Sequence, residues 1–251
     1  AIGSPSALYG TGVFRTSDGG RSWTPVNAAG EHWLCGDFRE SNSGAIAGRL
    51  GTLNVVATQG AIKSRTPGLG LRSIRDLQLD AELNGWLVGD GGLVMTTSDA
   101  GLTWQLPPRA IPPAARNEIE FKSVATIGQS VWAVGSPGSF VLHSPDGGQS
   151  WQLQNTGQSL PLHSITFIDQ QHGWAVGALG TILHTSDGGR TWQRQRSGGT
   201  RAALLCIVAD ERDIPLEMLP RLSSDVGYLC VTHVIGRRDA IAPGEKTSSQ
   251  E

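Results

Sequence analysis

The sequence predicts an all-β protein, a β-propeller with about five recognisable four-stranded blades. Two observations lead to this prediction. An eight-residue turn motif occurs four times, and a strand motif that ends in glycine occurs before each of the last three copies. A unit repeated every ~40–45 residues, with several short strands in each repeat, is typical of propellers.

The turn motif has the pattern [ST]-x-D-x-G-x-[ST]-W. An aspartate at a hairpin tip can accept backbone N–H groups, and the glycine two residues later can adopt a positive φ. The tryptophan begins the next strand and buries a large ring. We therefore predict a structural role for the aspartate and tryptophan of each copy: Asp18 and Trp23, Asp99 and Trp104, Asp146 and Trp151, Asp187 and Trp192.

The spacing of the copies indicates one further, degenerate repeat. The motif aspartates are 81, 47 and 41 residues apart. Residues 44–52 align with residues 173–181, which puts Thr58 at the aspartate position and Lys63 at the tryptophan position. With this copy the spacings become 40, 41, 47 and 41 residues, which predicts at least five recognisable blades and leaves the total number open.

The last repeat predicts the strands of a blade in order. Residues 162–168 form the first strand, 173–177 the second and 181–185 the third, and Trp192 opens the fourth. The second strand occurs again at residues 44–48, 85–89 and 131–135. Seven of the eight tryptophans lie in the turn motif or in this strand, so we predict that they pack between blades.

The C-terminal segment departs from the repeat. Residues 202–208 and 226–235 are predicted strands, and residues 215–222 a short helix. These elements either close the ring or form the β-α-β start of a second, truncated domain. Because an open ring leaves an unpaired strand edge, we expect residues 203–208 to pair with residues 7–16. We divide the chain into a propeller (1–200), this segment (201–241) and a disordered tail (242–251).

Composition excludes several classes of function. A net charge of −2 argues against generic nucleic-acid binding, and no apolar run reaches the ~18 residues of a membrane span. The three cysteines are an odd number without metal-ligand spacing, so we expect buried thiols or one disulfide. We predict no metal and no cofactor. Without an initiator methionine or a signal peptide, the chain is interpreted as mature or as a fragment, and we expect an extracytoplasmic location (periplasm, thylakoid lumen or secreted).

Charge is distributed unevenly between the two faces of the predicted propeller. The turns after strands one and three share one face, which carries the motif aspartates. The opposite face carries the turns after strand two and the inter-blade links. The longest link, residues 107–118, lies there, and long loops on a rigid scaffold often bind partners. Two interpretations of this face are open: an ordinary solvated rim, or the surface through which a monomeric protein binds an acidic segment of a protein partner. The candidate partner-binding arginines are Arg49, Arg72, Arg109, Arg116, Arg194, Arg196 and Arg201.

The turn motif resembles the Asp-box, or BNR repeat, of sialidases and sortilin-type receptors. The longer unit at residues 173–192 most resembles the photosystem II assembly and stability factor family. That resemblance implies a propeller that binds a protein partner in a chaperone-like way, without chemistry. Residues 204–211 and 226–232 resemble the start of a PIG-L/LmbE-type deacetylase domain, but residues 209–213 lack the histidine of that family's His-Pro-Asp-Asp motif.

Two enzymatic alternatives follow from these resemblances. A sialidase-like glycoside hydrolase requires an arginine cluster, a Tyr–Glu nucleophile pair and an acidic aspartate, and the chain has only Tyr9 and Tyr228. The other alternative is a propeller fused to a truncated deacetylase. His143 and His184 occupy equivalent repeat positions, but packed sheets are ~10 Å apart, too far for both to ligate one ion. We expect a binding scaffold and no enzyme.

Overall fold

The computed structural model describes residues 12–26, 32–40, 43–57, 60–63, 69–116, 118–195, 203–208 and 228–232. These residues form a β-propeller of five blades, followed by a separate pair of strands. The all-β propeller predicted from the repeat is confirmed. Among the described residues, no helix has the length and apolar character needed to cross a membrane.

The blades follow the chain in order. Blade I is a hairpin of β1 (Phe14–Arg15) and β2 (Thr24–Pro25). Blade II contains β3 (Trp33–Glu40), β4 (Ser43–Gly48), β5 (Leu53–Ala57) and β6 (Gly60–Lys63). Blade III contains β7 (Ile74–Leu79), β8 (Gly85–Gly89) and β9 (Leu93–Thr97). Blade IV contains β10 (Glu120–Ile127), β11 (Ser130–Ser136), β12 (Phe140–Ser144) and β13 (Gln152–Asn155). Blade V contains β14 (Leu162–Phe167), β15 (Gly173–Gly177), β16 (Ile182–Thr185) and β17 (Gln193–Arg194).

Blades II, IV and V are four-stranded antiparallel meanders in sequence order. Blade II confirms the degenerate repeat: Lys63 lies in β6 and is the register partner of Asn54, while Thr58 lies outside the described residues. The first strands of blades II to V lie side by side at the centre, so the fourth strands form the outer rim.

A glycine at or next to the end of each second strand is required by close packing. A Cβ atom there would stand only 2.0–2.3 Å from a carbonyl oxygen at the start of the first strand, so only glycine fits. The four glycines and the residues whose carbonyls they face are Gly48 and His32, Gly89 and Ser73, Gly135 and Glu120, and Gly177 and Pro161.

The fourth strand predicted for blade III is reduced to one bridge between Thr96 and Gln105. Pro107 and Pro108 follow Gln105 and cannot donate the ladder hydrogen bonds that would extend the strand. The chain therefore leaves the sheet here and begins the long link toward blade IV.

Most of the core lies between blades. Separate apolar clusters join blade II to III, III to IV and IV to V, and Trp104 and Trp132 are almost fully buried in them. Trp23 is an exception to the predicted burial, with 48% of its surface exposed. The other motif tryptophans pack against the preceding blade, and the described residues contain no blade before blade I.

The C-terminal pair consists of β18 (Ala203–Val208) and β19 (Tyr228–Thr232), for which only the backbone is described. Their pairing is parallel, as in a β-α-β unit. The predicted helix at 215–222, the tail and residues 7–11 of the expected ring-closing partner lie outside the described residues. Ring closure and the division at residue 201 therefore remain predictions.

The position of β18 matches that of a first strand. It lies against β14, β15 and the 3-10 turn Ala178–Gly180, just as β7 lies against β3, β4 and the 3-10 turn Arg49–Gly51. Its register shifts between Leu204 and Cys206, and the other first strands shift at the equivalent place. The C-terminal pair thus begins where a sixth blade would begin.

Candidate partner-binding face

The four Asp-boxes have the same hydrogen bonds. In the last copy, the Thr191 N–H and hydroxyl donate to Asp187 Oδ1 and Oδ2 at 2.9 and 2.6 Å, and the Thr185 hydroxyl donates to Oδ1 at 2.8 Å. The Gly189 N–H in turn donates to Thr185 Oγ1 at 2.9 Å. Both carboxylate oxygens are therefore engaged within their own turn. Equivalent bonds surround Asp18, Asp99 and Asp146.

These bonds keep the box carboxylates ionised. Burial acts to raise the pKa of Asp99 and Asp187, but hydrogen bonds from Thr103 and Thr191 outweigh it, and the net pKa is lowered. At Asp18 and Asp146 the largest contribution is the hydroxyl of Ser22 or Ser150, which lowers the pKa. A carboxylate engaged in this way is poorly suited to general acid catalysis.

Backbone hydrogen bonds define two faces. The boxes bond to the turns after first strands, for example Gly188 N–H to Gln171 O at 2.9 Å. The turns after second strands bond to the inter-blade links, for example Gly51 N–H to Arg72 O at 3.0 Å. We call the first the box face and the second the link face.

Three of the predicted arginines are grouped on the link face. Arg49 is exposed on the 3-10 turn of blade II. Arg72 donates from Nε to Leu69 O at 3.1 Å, and Arg116 donates to Ile111 O at 3.3 Å. Arg72 and Arg116 line a pocket of about 330 Å³ that also includes Leu106 and Ile111.

Of the other four predicted arginines, the structure describes Arg109 and Arg194. The Arg109 N–H donates to Gly148 O at 3.0 Å, and Trp151 Nε1 donates to Arg109 O at 3.0 Å. The main chain of Arg109 is therefore bonded to the Asp-box of blade IV, whereas the next residue, Ala110, lines the link-face pocket. Arg194 is exposed in β17 on the outer rim. Arg196 and Arg201 lie outside the described residues.

One ion pair on the link face was missed by the sequence analysis. Arg75 binds Asp90 through two hydrogen bonds, Nε to Oδ1 at 2.8 Å and a terminal nitrogen to Oδ2 at 3.0 Å. Burial acts to raise the pKa of Asp90, but the bonds from Arg75 lower it overall. The negative charge of Asp90 is thus compensated by Arg75 within the protein. No spacing signal could have found this pair, because it joins a first strand to a turn 15 residues away.

The two histidines considered as metal ligands instead pack on tryptophans. His143 stacks on Trp132 with ring centroids 5.0 Å apart, and burial lowers its pKa to about 4. His184 lies 4.8 Å from the ring of Trp174. In the part of the chain that the structure describes, no group of three or more His, Cys, Asp or Glu side chains could hold a metal ion.

A polar cavity of about 310 Å³ lies at the centre, lined by the first strands. Side chains of one strand accept backbone N–H groups of the next: Asp37 from Leu79 at 2.8 Å, Asp76 from Val124 at 2.9 Å and Gln78 from Thr126 at 2.8 Å. Burial raises the pKa of Asp76 to about 6, against the bonds from Val124 and Ser123. These hydrogen bonds hold adjacent blades together around the central cavity, which we call the channel.

The repeat and the fold match those of known proteins. The family model described as "Photosynthesis system II assembly factor YCF48" matches residues 69–164 and 155–207, which together cover more than half of the chain. The chain belongs to the YCF48 family. The second match reaches residue 207 and therefore includes most of β18.

Curated relatives agree with this assignment, and a solved structure shares the fold. The photosystem II assembly lipoprotein Ycf48 of a Picosynechococcus strain is 34% identical over 68% of this chain and 52% of its own length. That of a Synechococcus strain is 28% identical over 72% of this chain and 56% of its own. YCF48 from Cyanidioschyzon merolae superposes with a TM-score of 0.56 at 16% identity, over 75% of this chain and 67% of that one, and shows the shared fold. The chain thus spans about half the length of these curated relatives.

Proposed function

We propose that this protein is a non-enzymatic binding scaffold that takes part in the assembly of photosystem II by holding a protein partner. Membership of the YCF48 family supports this proposal, because the curated relatives are named for that assembly. The partner presents an acidic segment to the link face of the propeller.

The observation that carries the proposal is the contrast between the two faces. On the box face, the motif carboxylates use both oxygens within their own turns. On the link face, Arg49 and Arg116 are exposed, and Arg72 and Arg116 border a pocket. Arginine binds carboxylates through a planar fork of donors, so the link face is the better site for an acidic segment.

A non-enzymatic role agrees with the state of the polar groups. The box aspartates bond to their own turns, and His143 and His184 pack on tryptophan rings. The lipoprotein relatives also support action outside the cytoplasm.

The proposed scaffold acts as a monomer. Light scattering after size-exclusion chromatography tests this oligomeric state.

The experiment measures binding of photosystem II assembly intermediates to the immobilised protein. We expect the double variant Arg49→Ser/Arg116→Ser to bind several-fold more weakly than the wild type. Wild-type binding should also weaken with added salt, since exposed charges are screened beyond about 8 Å at physiological ionic strength. The melting temperature should stay nearly unchanged, because surface substitutions usually cost within about 0.5 kcal/mol.

Arg109→Ser is the matched control from the same link, because the main chain of Arg109 is bonded to the box of blade IV. It should bind like the wild type. Salt-insensitive binding that the arginine double variant retains would contradict the proposal. So would an interface mapped entirely to the box face.

A further inference from the structure

Three leucines on the link face are unusually exposed. Leu50, Leu71 and Leu106 have 65%, 76% and 69% of their surface exposed, more than any other large apolar side chain among the described residues. Single exposed leucines are normal on protein surfaces, but a contiguous apolar group often marks an interaction site.

These leucines belong to one continuous surface. The turn that carries Leu50 bonds to the link that carries Leu71, through Gly51 N–H and Arg72 O at 3.0 Å. Arg72 continues to the next turn, where its Cδ lies 3.6 Å from the position of a Cβ on Gly91. Gly91 and Leu106 line the same pocket. We call this surface, defined by Arg49, Leu50, Leu71, Arg72, Leu106 and Arg116, the leucine–arginine patch.

The backbone at Leu50 is left-handed, as it also is at Leu179 in the equivalent turn of blade V. Leu50 has a φ of +55°, a left-handed conformation that favours glycine. The equivalent residue of blade III is Gly91, with a φ of +64°, because Gly48 and Gly89 occupy the same place in their registers. Blade II therefore holds a leucine, in water, where a glycine would be less strained. Neither core packing nor the turn itself requires that side chain.

The pocket beside Leu106 is apolar at its base and positive at its rim. Leu93, Val94 and Ile111 are buried in it, and Arg72 and Arg116 border it. The nearby carboxylates of Asp90 and Glu120 are paired with Arg75 and Lys122, while Glu118 is exposed beside Ile119. The chemistry of the patch is thus apolar contact flanked by guanidinium groups.

We propose that the leucine–arginine patch binds a partner segment in which leucine-sized apolar residues alternate with carboxylates, and that Leu50 and Leu106 are its apolar anchors. This inference rests on the proposed function, and it adds that charge alone does not select the partner. The acidic groups of the segment contact Arg49, Arg72 and Arg116. An apolar side chain enters the pocket beneath Leu106.

The test uses a random peptide library selected against the immobilised protein, followed by fluorescence anisotropy with the enriched peptides. We expect enrichment of sequences that combine Asp or Glu with Leu, Ile or Val. Leu50→Gly and Leu106→Ser should each weaken binding about tenfold, as expected when a leucine contact is lost. Leu50→Gly should not lower the melting temperature, because glycine relieves the left-handed strain.

Leu179→Gly is the matched control. Leu179 has a φ of +52° in the equivalent turn of blade V and is 55% exposed, but Ala178 takes the place of Arg49. Its variant should bind the peptides as the wild type does. If acidic peptides are enriched without apolar preference and only the arginine variants weaken binding, this inference fails and the proposed function stands. If nothing is enriched, or neither set of variants weakens binding, both fail.

Discussion

At the scale of single residues, the surroundings of a carboxylate decide which way its pKa moves. Asp187 lies in a tight turn whose N–H and hydroxyl groups stabilise its charge, so its pKa is lowered. Asp76 lines the central cavity near Asp37, and burial raises its pKa to about 6 despite hydrogen bonds from Val124, Ser123 and Leu77. The two types of aspartate therefore contribute to stability in different pH ranges.

Asp187→Ala should lower the free energy of unfolding by roughly 1–2 kcal/mol, because three hydrogen bonds within the box are lost. The loss of stability should be greatest near neutral pH and shrink below about pH 4. A lowered pKa means that the carboxylate stabilises the folded state only while it is ionised. Urea unfolding of the variant and wild type at several pH values measures this. A folded, equally stable variant that no longer binds any partner would contradict a structural role.

Asp76→Asn should have the opposite pH dependence. A raised pKa means that the folded state holds the proton more tightly than the unfolded chain, so stability falls as pH rises between about 4 and 6. The amide cannot ionise, and its oxygen can still accept the Val124 N–H. We expect equal melting temperatures for variant and wild type near pH 4 and a higher one for the variant above pH 6. A difference that does not change with pH would contradict this.

At the scale of the blade, close approach between strands limits the residues that fit. Near its end the second strand packs closely against a carbonyl at the start of the first strand, which explains the final glycine of the repeated motif. In blade III, Pro107 and Pro108 end the outer strand early and release the link that builds the pocket. The irregular blade is therefore the one that provides a candidate binding surface.

Gly177→Ala should destabilise blade V strongly, because the new Cβ would stand 2.1 Å from Pro161 O, a backbone atom that cannot move alone. We expect a loss of at least ~2–3 kcal/mol in the free energy of unfolding. Gly147→Ala is the control, since its φ is +65° but nothing lies within 4 Å of its Cβ position. The free energy of unfolding of this control should fall by only about 1 kcal/mol. If chemical unfolding showed similar losses of stability for both variants, the close approach to Pro161 would not be the cause of the effect of Gly177→Ala.

At the scale of the whole molecule, each blade is stabilised by its neighbours. Box tryptophans pack on the preceding blade, and channel side chains bond to the following first strand. β18 provides such a neighbour for blade V. The propeller should therefore unfold cooperatively and be sensitive to loss of its terminal strands.

Truncation after residue 200 tests the role of the C-terminal pair. Removing β18 would expose β14 and β15, so we expect a melting temperature several degrees lower, as about 1 kcal/mol shifts it by roughly 2–4 °C in a chain of this size. Removing only residues 242–251 should leave it unchanged. An equal melting temperature after both truncations would mean that β18 does not stabilise the propeller.

The sequence by itself determined the features that depend on local repetition. The Asp-box bonds close within a few residues of the chain, and the alternation of short strands and turns sets the strand order, so the five recognisable blades and the two faces could be predicted. Contacts between repeats could not. The exposure of Trp23, the bonds of Arg109 to the box of blade IV and the pairing of Arg75 with Asp90 depend on which segments meet across a blade boundary. The leucine–arginine patch likewise exists only because one turn, two links and a shortened strand meet on one face, which no spacing in the chain specifies.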